Sequence, residues 1–525
     1  MMRLIELKDL IRKIVEGKFG ESVNIEIEEP SIKELDADLS FPAFEILKKD
    51  KEKLHGLIEE LRKTDFFEKV ELIKGFVNLK IKNEVIFDAV KILFKSPKKY
   101  FKGNKKREKV LIEYISANPT GPLNVANARA ACIGDLLTKA YRISGFISHS
   151  EYYYNDAGRQ VELLGISLRE RVKELKGENF QIPEDGYYGE YLKDLAREYL
   201  REKSNLSFEE FALKKIIEMQ KKSLKKFKTE FTNYVYESEI RKSSLIEETL
   251  ERLKNYIYKE EGAIFFKSTE FGDEKDRVLV KSNGEYTYFL TDIAYHLYKI
   301  KRGYDYIINL WGPDHHGYIK RMEGALKALS FENFYVLIVQ QVNLRRGNEL
   351  VRMSKRKGEI YSLLDLIEEV GKDAARFFLL LRAPSSPLDF DLELAKRMSI
   401  DNPLYYVQYA HARTNQIIEF AKKRGFDKVF VPLKINFDEK EREILKKMFL
   451  FQDIYEKIRK GFLTHLLPNK LIELASTFHS FYQSERIVDE KEKEKTLKRL
   501  FIVYSLKNLL KFTLNSMGVS APLKM

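Results

Sequence analysis

Two stretches of the chain carry residues suited to holding phosphate. In Ser116–Asp135 (SANPTGPLNVANARAACIGD) a short loop, tightened by Pro119, Gly121 and Pro122, runs straight into a helical pattern. A helix N-terminus offers unpaired backbone N–H groups and the positive end of the helix dipole to an anion. Many strand-to-helix turns bind nothing, so the run alone defines only a plausible anion site. In Arg352–Gly358 (RMSKRKG) four cations fall within seven residues. Such a run is more often a solvated loop; as a mobile loop it would neutralise phosphate charge. Trp311–Gly317 (WGPDHHG) groups Asp314, His315 and His316 at the end of a strand-like run. No further His or Cys pattern accompanies them, so zinc is not expected. In Asp401–Arg413 (DNPLYYVQYAHAR), Tyr405, Tyr406, Tyr409, His411 and Arg413 share a helical pattern. Such aromatic–basic mixtures stack on unpaired bases and hold phosphates, although about half of these side chains are expected to face a core.

The elements that must position these stretches fall into three regions. Residues 1–100 alternate helical patterns with strand-like runs, Lys69–Ile73 and Phe76–Ile81, and the basic stretch Ser96–Lys109 reads as a linker. From Lys109, strand and helix patterns alternate. KVLIEYI leads through the loop into VANARAACIGDLLTKAYRISG, TYFL into DIAYHLYKIKRG, and YDYIINL into YIKRMEGALKALS, followed by FYVLIVQQVNL. This predicts an α/β fold with a doubly wound parallel sheet over 105–390, whose ligands lie beyond the carboxyl ends of the strands. The charged helical stretch at about 160–230 is expected as an insertion. From 391 to 525 only helical patterns remain, the last with Leu497, Leu500, Phe501 and Tyr504 on one face and Gly518 as its stop. A small α+β domain at the N-terminus and an all-α domain at the C-terminus complete this reading.

Composition bounds the function. A chain of 525 residues favours two or three domains. The formal net charge of +13 favours a polyanionic partner, nucleic acid first, although a Lys-rich solvated surface of a heat-adapted protein explains it equally well. Cys132 is the single cysteine, which excludes a disulfide framework and a cysteine-rich zinc site and fits a reducing compartment. The start, MMRLIELKDLIRKIVEG, carries Glu6, Asp9 and Glu16 and lacks a small-residue cleavage site, unlike a targeting peptide. No apolar run approaches the ~18 residues that span a bilayer, so a cytoplasmic location without membrane attachment is expected.

Ser116–Asp135 resembles the first signature of class I aminoacyl-tRNA synthetases in its arginyl form. That form is Ser-x-Asn-Pro-Thr-x-Pro-Leu followed by His-[Ile/Val]-Gly-[His/Asn], a tetrapeptide that here is Asn124-Val125-Ala126-Asn127. RMSKRKG resembles the second signature, Lys-Met-Ser-Lys-Ser, through Met353, Ser354 and Lys355, with Arg352 and Arg356 at its two ends. EYYYNDAGRQ is similar to the arginyl family's Tyr-x-Asn-Asp-x-Gly-x-Gln through Tyr153, Asn155, Asp156, Gly158 and Gln160. Tyr288 and Asp292 match its Tyr-x-x-x-Asp element, and Glu237, in FTNYVYES, its acidic position. WGPDHHG resembles its Gly-Ala-Asp-His/Gln-His-Gly element, and DNPLYYVQYAHAR the junction with its anticodon-binding domain. ADLSFPAFEILKK and GFVN resemble its N-terminal domain and GVSAPLKM its ending, so the resemblance spans nearly the whole chain.

The resemblance implies a bacterial-type arginyl-tRNA synthetase with a tRNA-binding domain at 1–100, a Rossmann-like catalytic domain at 105–390 and a helical anticodon-binding domain at 391–525. It implies Asn124, Asn127, Lys355, Arg352 and Arg356 as catalytic. Ser116, Asn118, Tyr288, Asp292 and Glu237 would hold arginine, whose guanidinium suits paired carboxylates. Pro119, Gly121, Ala126, Gly312, Asp314, His315, Met353 and Ser354 would hold ATP, and Tyr409, His411 and Arg413 the tRNA. Asn124 keeps an amide donor where the family has an imidazole. The implied cofactors are ATP with Mg²⁺ and no zinc; the partners are arginine and its tRNA, and adenylate formation needs bound tRNA. A monomer is expected, although the sequence does not reveal the oligomeric state. The alternative is a synthetase-like paralogue that binds tRNA without charging it.

Overall fold

The computed structural model describes residues 2–525 apart from 21–24, 31, 33–34, 45, 47–49, 352–360, 429–430 and 433–435. The N-terminal part folds as a three-stranded antiparallel sheet of β1 (Leu39–Pro42), β2 (Phe67–Ile73) and β3 (Phe76–Ile81), in the order β1-β3-β2, packed with helices that include Leu4–Phe19 and Asn83–Lys95. Ser96–Lys109 is more than a linker. Ser96 caps the short helix Pro97–Phe101, and Tyr100 and Phe101 are buried. The Phe101 ring stacks on Phe512 at 5.0 Å, and the Tyr100 hydroxyl donates to the Met448 carbonyl at 2.8 Å. Two aromatic rings in that basic run gain more by burial than by solvation.

The central sheet holds β4 (Lys109–Glu113), β5 (Ile147–Tyr154), β6 (Asn233–Tyr236), β10 (Tyr306–Trp311) and β11 (Phe334–Ile338), all parallel, in the order β11-β10-β4-β5-β6. β4 and β10 read as almost continuous apolar runs because helices cover both faces of such a sheet. The chain runs outward from β4 to β6 and then returns to build β10 and β11 on the other side. Strand order therefore reverses between β4 and β10, where a doubly wound sheet opens its ligand crevice. Helix Val125–Ile143 lies close against β4, and a Cβ on Gly134 would fall 2.2 Å from the Tyr114 ring.

Insertions decorate this sheet. Helices Arg159–Lys176, Tyr191–Glu202 and Phe208–Lys226 share a small core around Leu164, Leu168 and Phe211. Strands β7 (Ile257–Glu260), β8 (Ala263–Phe266) and β9 (Arg277–Val280) form a separate antiparallel sheet. Two sequence expectations are corrected. TYFL is not a strand, because Thr287 accepts a hydrogen bond from the Leu290 N–H at 3.3 Å and starts the helix Tyr288–Lys301. FYVLIVQQVNL is not one strand but two. After β11 the chain crosses to β12 (Val342–Arg346), which pairs with β13 (Glu349–Leu350) and β14 (Leu388–Asp391) in another sheet.

From Pro403 the described elements are helices. The last, Lys493–Ser516, buries Leu500, Phe501, Ile502 and Val503 in succession, so its middle is enclosed on more than the one face its spacing predicts. Arg376, fully buried, ties the tail beyond it to the sheet domain: its guanidinium pairs with Asp135 and donates to the Phe227 carbonyl at 2.8 Å and the Met517 carbonyl at 2.5 Å. Among the described residues no helix is long and apolar enough to cross a membrane.

Candidate active site

A cleft of about 680 Å³ opens at the strand-order reversal. Ser116, Asn118, Gly121, Asn124, Asn127, Glu237, Tyr288, Asp292, Gly312 and His315 all line it, from four separate sequence segments brought together by the sheet. Pro119 is buried in the loop, while Ala126 and Asp314 are exposed at the margin without lining the cleft. Arg352, Met353, Ser354, Lys355 and Arg356 lie outside the described residues. Their chain neighbours return to the site: Ser362 pairs with Asn124 across a β-bridge, and the Leu363 N–H donates to the Leu123 carbonyl at 2.7 Å.

One end of the cleft is made from backbone. After β4, Ile115 and Ser116 adopt φ of 72° and 38°, a conformation that a β-branched residue enters only under constraint. The constraint is visible: the Ser116 hydroxyl donates to Glu113 Oε1 at 2.7 Å and accepts from the Tyr153 N–H at 3.2 Å. Insertion residues grip the rest of the loop. Gln220 donates to the Gly121 carbonyl at 2.8 Å, Tyr191 to the Thr120 carbonyl at 2.6 Å, and the Asn118 amide to Gln160 Oε1 at 2.7 Å. Asn124 and Asn127 then form a reciprocal cap on helix Val125–Ile143. Asn124 Oδ1 accepts from the Asn127 N–H at 3.0 Å, and Asn127 Oδ1 from the Asn124 N–H at 2.9 Å. The cap uses each side-chain oxygen, so the donor of each amide, Nδ2, is left for a ligand in the cleft.

The other end is made from charge. Glu113, Glu237 and Asp292 line it. Glu113 pairs with the buried ammonium of Lys299, and Glu237 Oε1 accepts from Arg241 Nε at 2.6 Å. Asp292 forms no ion pair with any described residue and takes a hydrogen bond from the Tyr318 hydroxyl at 2.7 Å. Loss of solvation in the cleft, reinforced by the Glu237 and Glu113 charges and opposed by Tyr318, pushes the Asp292 carboxyl up to about 7. Glu237 is also raised, by burial first. Tyr288 and Asp292 stand one helical turn apart because TYFL is helix, and Tyr288 is 61% exposed at the mouth. Sequence reasoning missed Glu113, Lys299, His296, Asn309 and Tyr318 as site residues. The available signal was an acid closing the apolar run KVLIE.

The proposed tRNA residues lie apart, on helix Pro403–Lys422. Tyr405 stacks on Tyr409 at 6.2 Å, Tyr409 on His479 at 5.5 Å, and the Arg413 guanidinium sits over the Tyr409 and Tyr482 rings at 5.2 and 5.1 Å. A groove of about 700 Å³ runs beside Tyr405, Tyr406, Tyr409 and His479. His411 is corrected: it is fully buried, its Nδ1 bonds the Pro522 carbonyl at 2.7 Å, and burial lowers its pKa. It holds the C-terminal tail. Among the described residues no cluster of three His, Cys, Asp or Glu side chains is placed to hold a metal ion.

A family model for the catalytic domain of class I (R) tRNA synthetases matches residues 89–380, and one for the DALR anticodon binding domain matches 407–525. Fold and cleft together are those of a class I tRNA synthetase. An arginine–tRNA ligase of Thermotoga maritima is 38% identical over 99% of both chains. Arginine–tRNA ligase 1 of Halalkalibacterium halodurans is 40% identical over 88% of this chain and 87% of its own. The solved structure of Thermus thermophilus arginyl-tRNA synthetase has the same fold, with a TM-score of 0.81 over all of both chains at 19% identity. The chain belongs to the arginine–tRNA ligase family.

Proposed function

We infer that the chain is an ATP-dependent arginine–tRNA ligase. The arginine carboxylate attacks the α-phosphorus of ATP in line, forming arginyl-adenylate and releasing pyrophosphate. The terminal ribose 2′-hydroxyl of the tRNA then takes the arginyl group and AMP leaves. The observation that carries the amino-acid reading is the charge count: Lys299 offsets Glu113, Arg241 offsets Glu237, and Asp292 keeps no described cation. A site with one uncompensated, poorly solvated carboxylate favours a ligand with one cation, and Glu237 nearby gives a guanidinium a second acceptor. Tyr288 covers the mouth; Ser116 and Asn118 hold the loop that faces the arginine backbone.

ATP lies across the loop end. The Asn124 and Asn127 amides and the N-terminus of helix Val125–Ile143 donate to its phosphates, with Gly121 and Gly312 leaving room for close approach and His315 beside the sugar. Lys355, with Arg352 and Arg356, would neutralise charge at the transferring phosphate, a role supported by the β-bridge that sets Ser362, further along the chain, against Asn124. Mg²⁺ enters with ATP, held by the phosphates. Tyr409 and Arg413 take the anticodon arm, and residues 1–100 another part of the tRNA. The reading is completed by a monomer working in the cytoplasm. Arginine-dependent ATP–pyrophosphate exchange, run with and without tRNA, tests the reading. Exchange with tRNA present is expected; none under either condition would overturn it and favour a non-charging paralogue.

A further inference from the structure

Helix Tyr288–Lys301 sets Asp292, His296 and Lys299 on one face, at spacings of four and three residues, pointing down to the crevice between β4 and β10. The Lys299 side chain is fully buried. Its ammonium contacts Glu113, donates to Asn309 Oδ1 at 3.1 Å and lies 4.3 Å from the centre of the Tyr295 ring. Asn309 Nδ2 in turn lies 2.9 Å from His296 Nε2, and His296 Nδ1 lies 2.7 Å from the Asp292 carbonyl. A carbonyl only accepts, so the imidazole proton sits on Nδ1 and Nε2 accepts from Asn309. Burial keeps that imidazole neutral. One unbroken chain of hydrogen bonds therefore runs from the backbone of Asp292 through His296, Asn309 and Lys299 to Glu113. It continues through Ser116 to the strained loop.

A buried ion pair costs desolvation and is replaced readily by apolar side chains unless it serves something else. We propose that Lys299 is a positioning residue for the amino-acid site: it offsets Glu113, so that Asp292 remains the one uncompensated acid, and it ties the carboxyl ends of β4 and β10 to the helix that carries Asp292. Asp292 is faced by Glu113 from β4, by Glu237 from the helix Glu237–Lys242, where Arg241 holds Glu237, and by Tyr153 from β5. Tyr318 faces it from the turn after β10, and His296 and Lys299 share its own helix. Among these, Lys299 and Arg241 are the cations, and each already holds its own acid.

The inference rests on the arginine site assigned above, and exchange assays separate the two. The pH profile of kcat/KM for arginine is measured with tRNA bound in the full-length wild type, Lys299→Met, Lys299→Gln and Lys299→Met/Glu113→Gln. Removing the cation leaves the Glu113 charge facing Asp292, so Lys299→Met should lose about tenfold at pH 7 and move its acidic limb up by about one pH unit. Lys299→Gln keeps a donor for Asn309; it should show the same limb shift with a smaller loss, and it carries the test if Lys299→Met does not fold. The double variant lacks both charges and should return the limb to the wild-type position. A limb that stays put in Lys299→Gln, or stays displaced in the double variant, would overturn the proposal. Absence of arginine-dependent exchange in the wild type would instead overturn the site assignment.

Discussion

The two ends of the cleft solve different problems with different materials. The proposed arginine end is charged, shielded and preset: Glu113, Lys299, Asn309 and His296 are all buried and linked in one chain of bonds. The nucleotide end is built from backbone and amides: a constrained loop, a helix N-terminus and two asparagines whose oxygens close the cap while their N–H₂ groups face out. Discrimination between amino acids needs a side chain's charge read in a poorly solvated place, where a mismatch is expensive. Phosphate needs many modest donors, to which the proposal adds the cations Arg352, Lys355 and Arg356.

Substitutions should separate the two ends. Asp292→Asn removes the uncompensated charge while keeping shape. Losing one partner of a shielded, charge-assisted pair costs ~2–5 kcal/mol, so kcat/KM for arginine should fall by ~10³ with KM for ATP little changed. A parallel rise in KM for ATP would mean the ends are not separable. Asn124→Ala removes a donor at the other end and should lower kcat in pyrophosphate exchange by ~10²-fold at an unchanged KM for arginine. It also strips the cap from helix Val125–Ile143, at a cost of about 1 kcal/mol in unfolding free energy.

Protonation sharpens the contrast. In the proposed site arginine pairs with the Asp292 carboxylate, which burial pushes up to about 7, so binding at lower pH would have to expel a proton. In exchange assays, kcat/KM for arginine should fall by about tenfold per pH unit on the acid side and level off above, and Asp292→Asn should abolish that limb. The smallest expected effect lies outside the cleft. Tyr409→Ala removes one ring from the stack with Tyr405 and His479 and should weaken tRNA binding by ~1 kcal/mol, about fivefold in KM for tRNA, leaving KM for arginine alone.

Much of this was legible in the sequence because it is local. Strand–helix alternation gave the parallel sheet, and the run SANPTGPLNVAN is a loop entering a helix in the structure as in the pattern. What escaped depends on how distant segments meet. Glu113 is one acid at the end of an apolar strand, and Lys299 one lysine in a lysine-rich chain. Only the neighbouring of β4 and β10, with helix Tyr288–Lys301 laid across them, makes them a pair. TYFL misled because its β-prone aromatics outweigh a single threonine cap, and tertiary packing decided the outcome. His411 misled in the opposite sense. Its helix has functional-looking aromatics on one side, but His411 faces the tail, whose carbonyl at Pro522 claims its ring.

The central claim is that the cleft chooses its amino acid by a single uncompensated charge at Asp292. Citrulline tests it most directly, because a neutral urea replaces the guanidinium at almost the same shape. In tRNA-supported ATP–pyrophosphate exchange, citrulline should be at least ~10³-fold poorer than arginine in kcat/KM. If citrulline supported exchange within about tenfold of arginine, shape and not charge would select the substrate, and the account of the acidic end would be wrong.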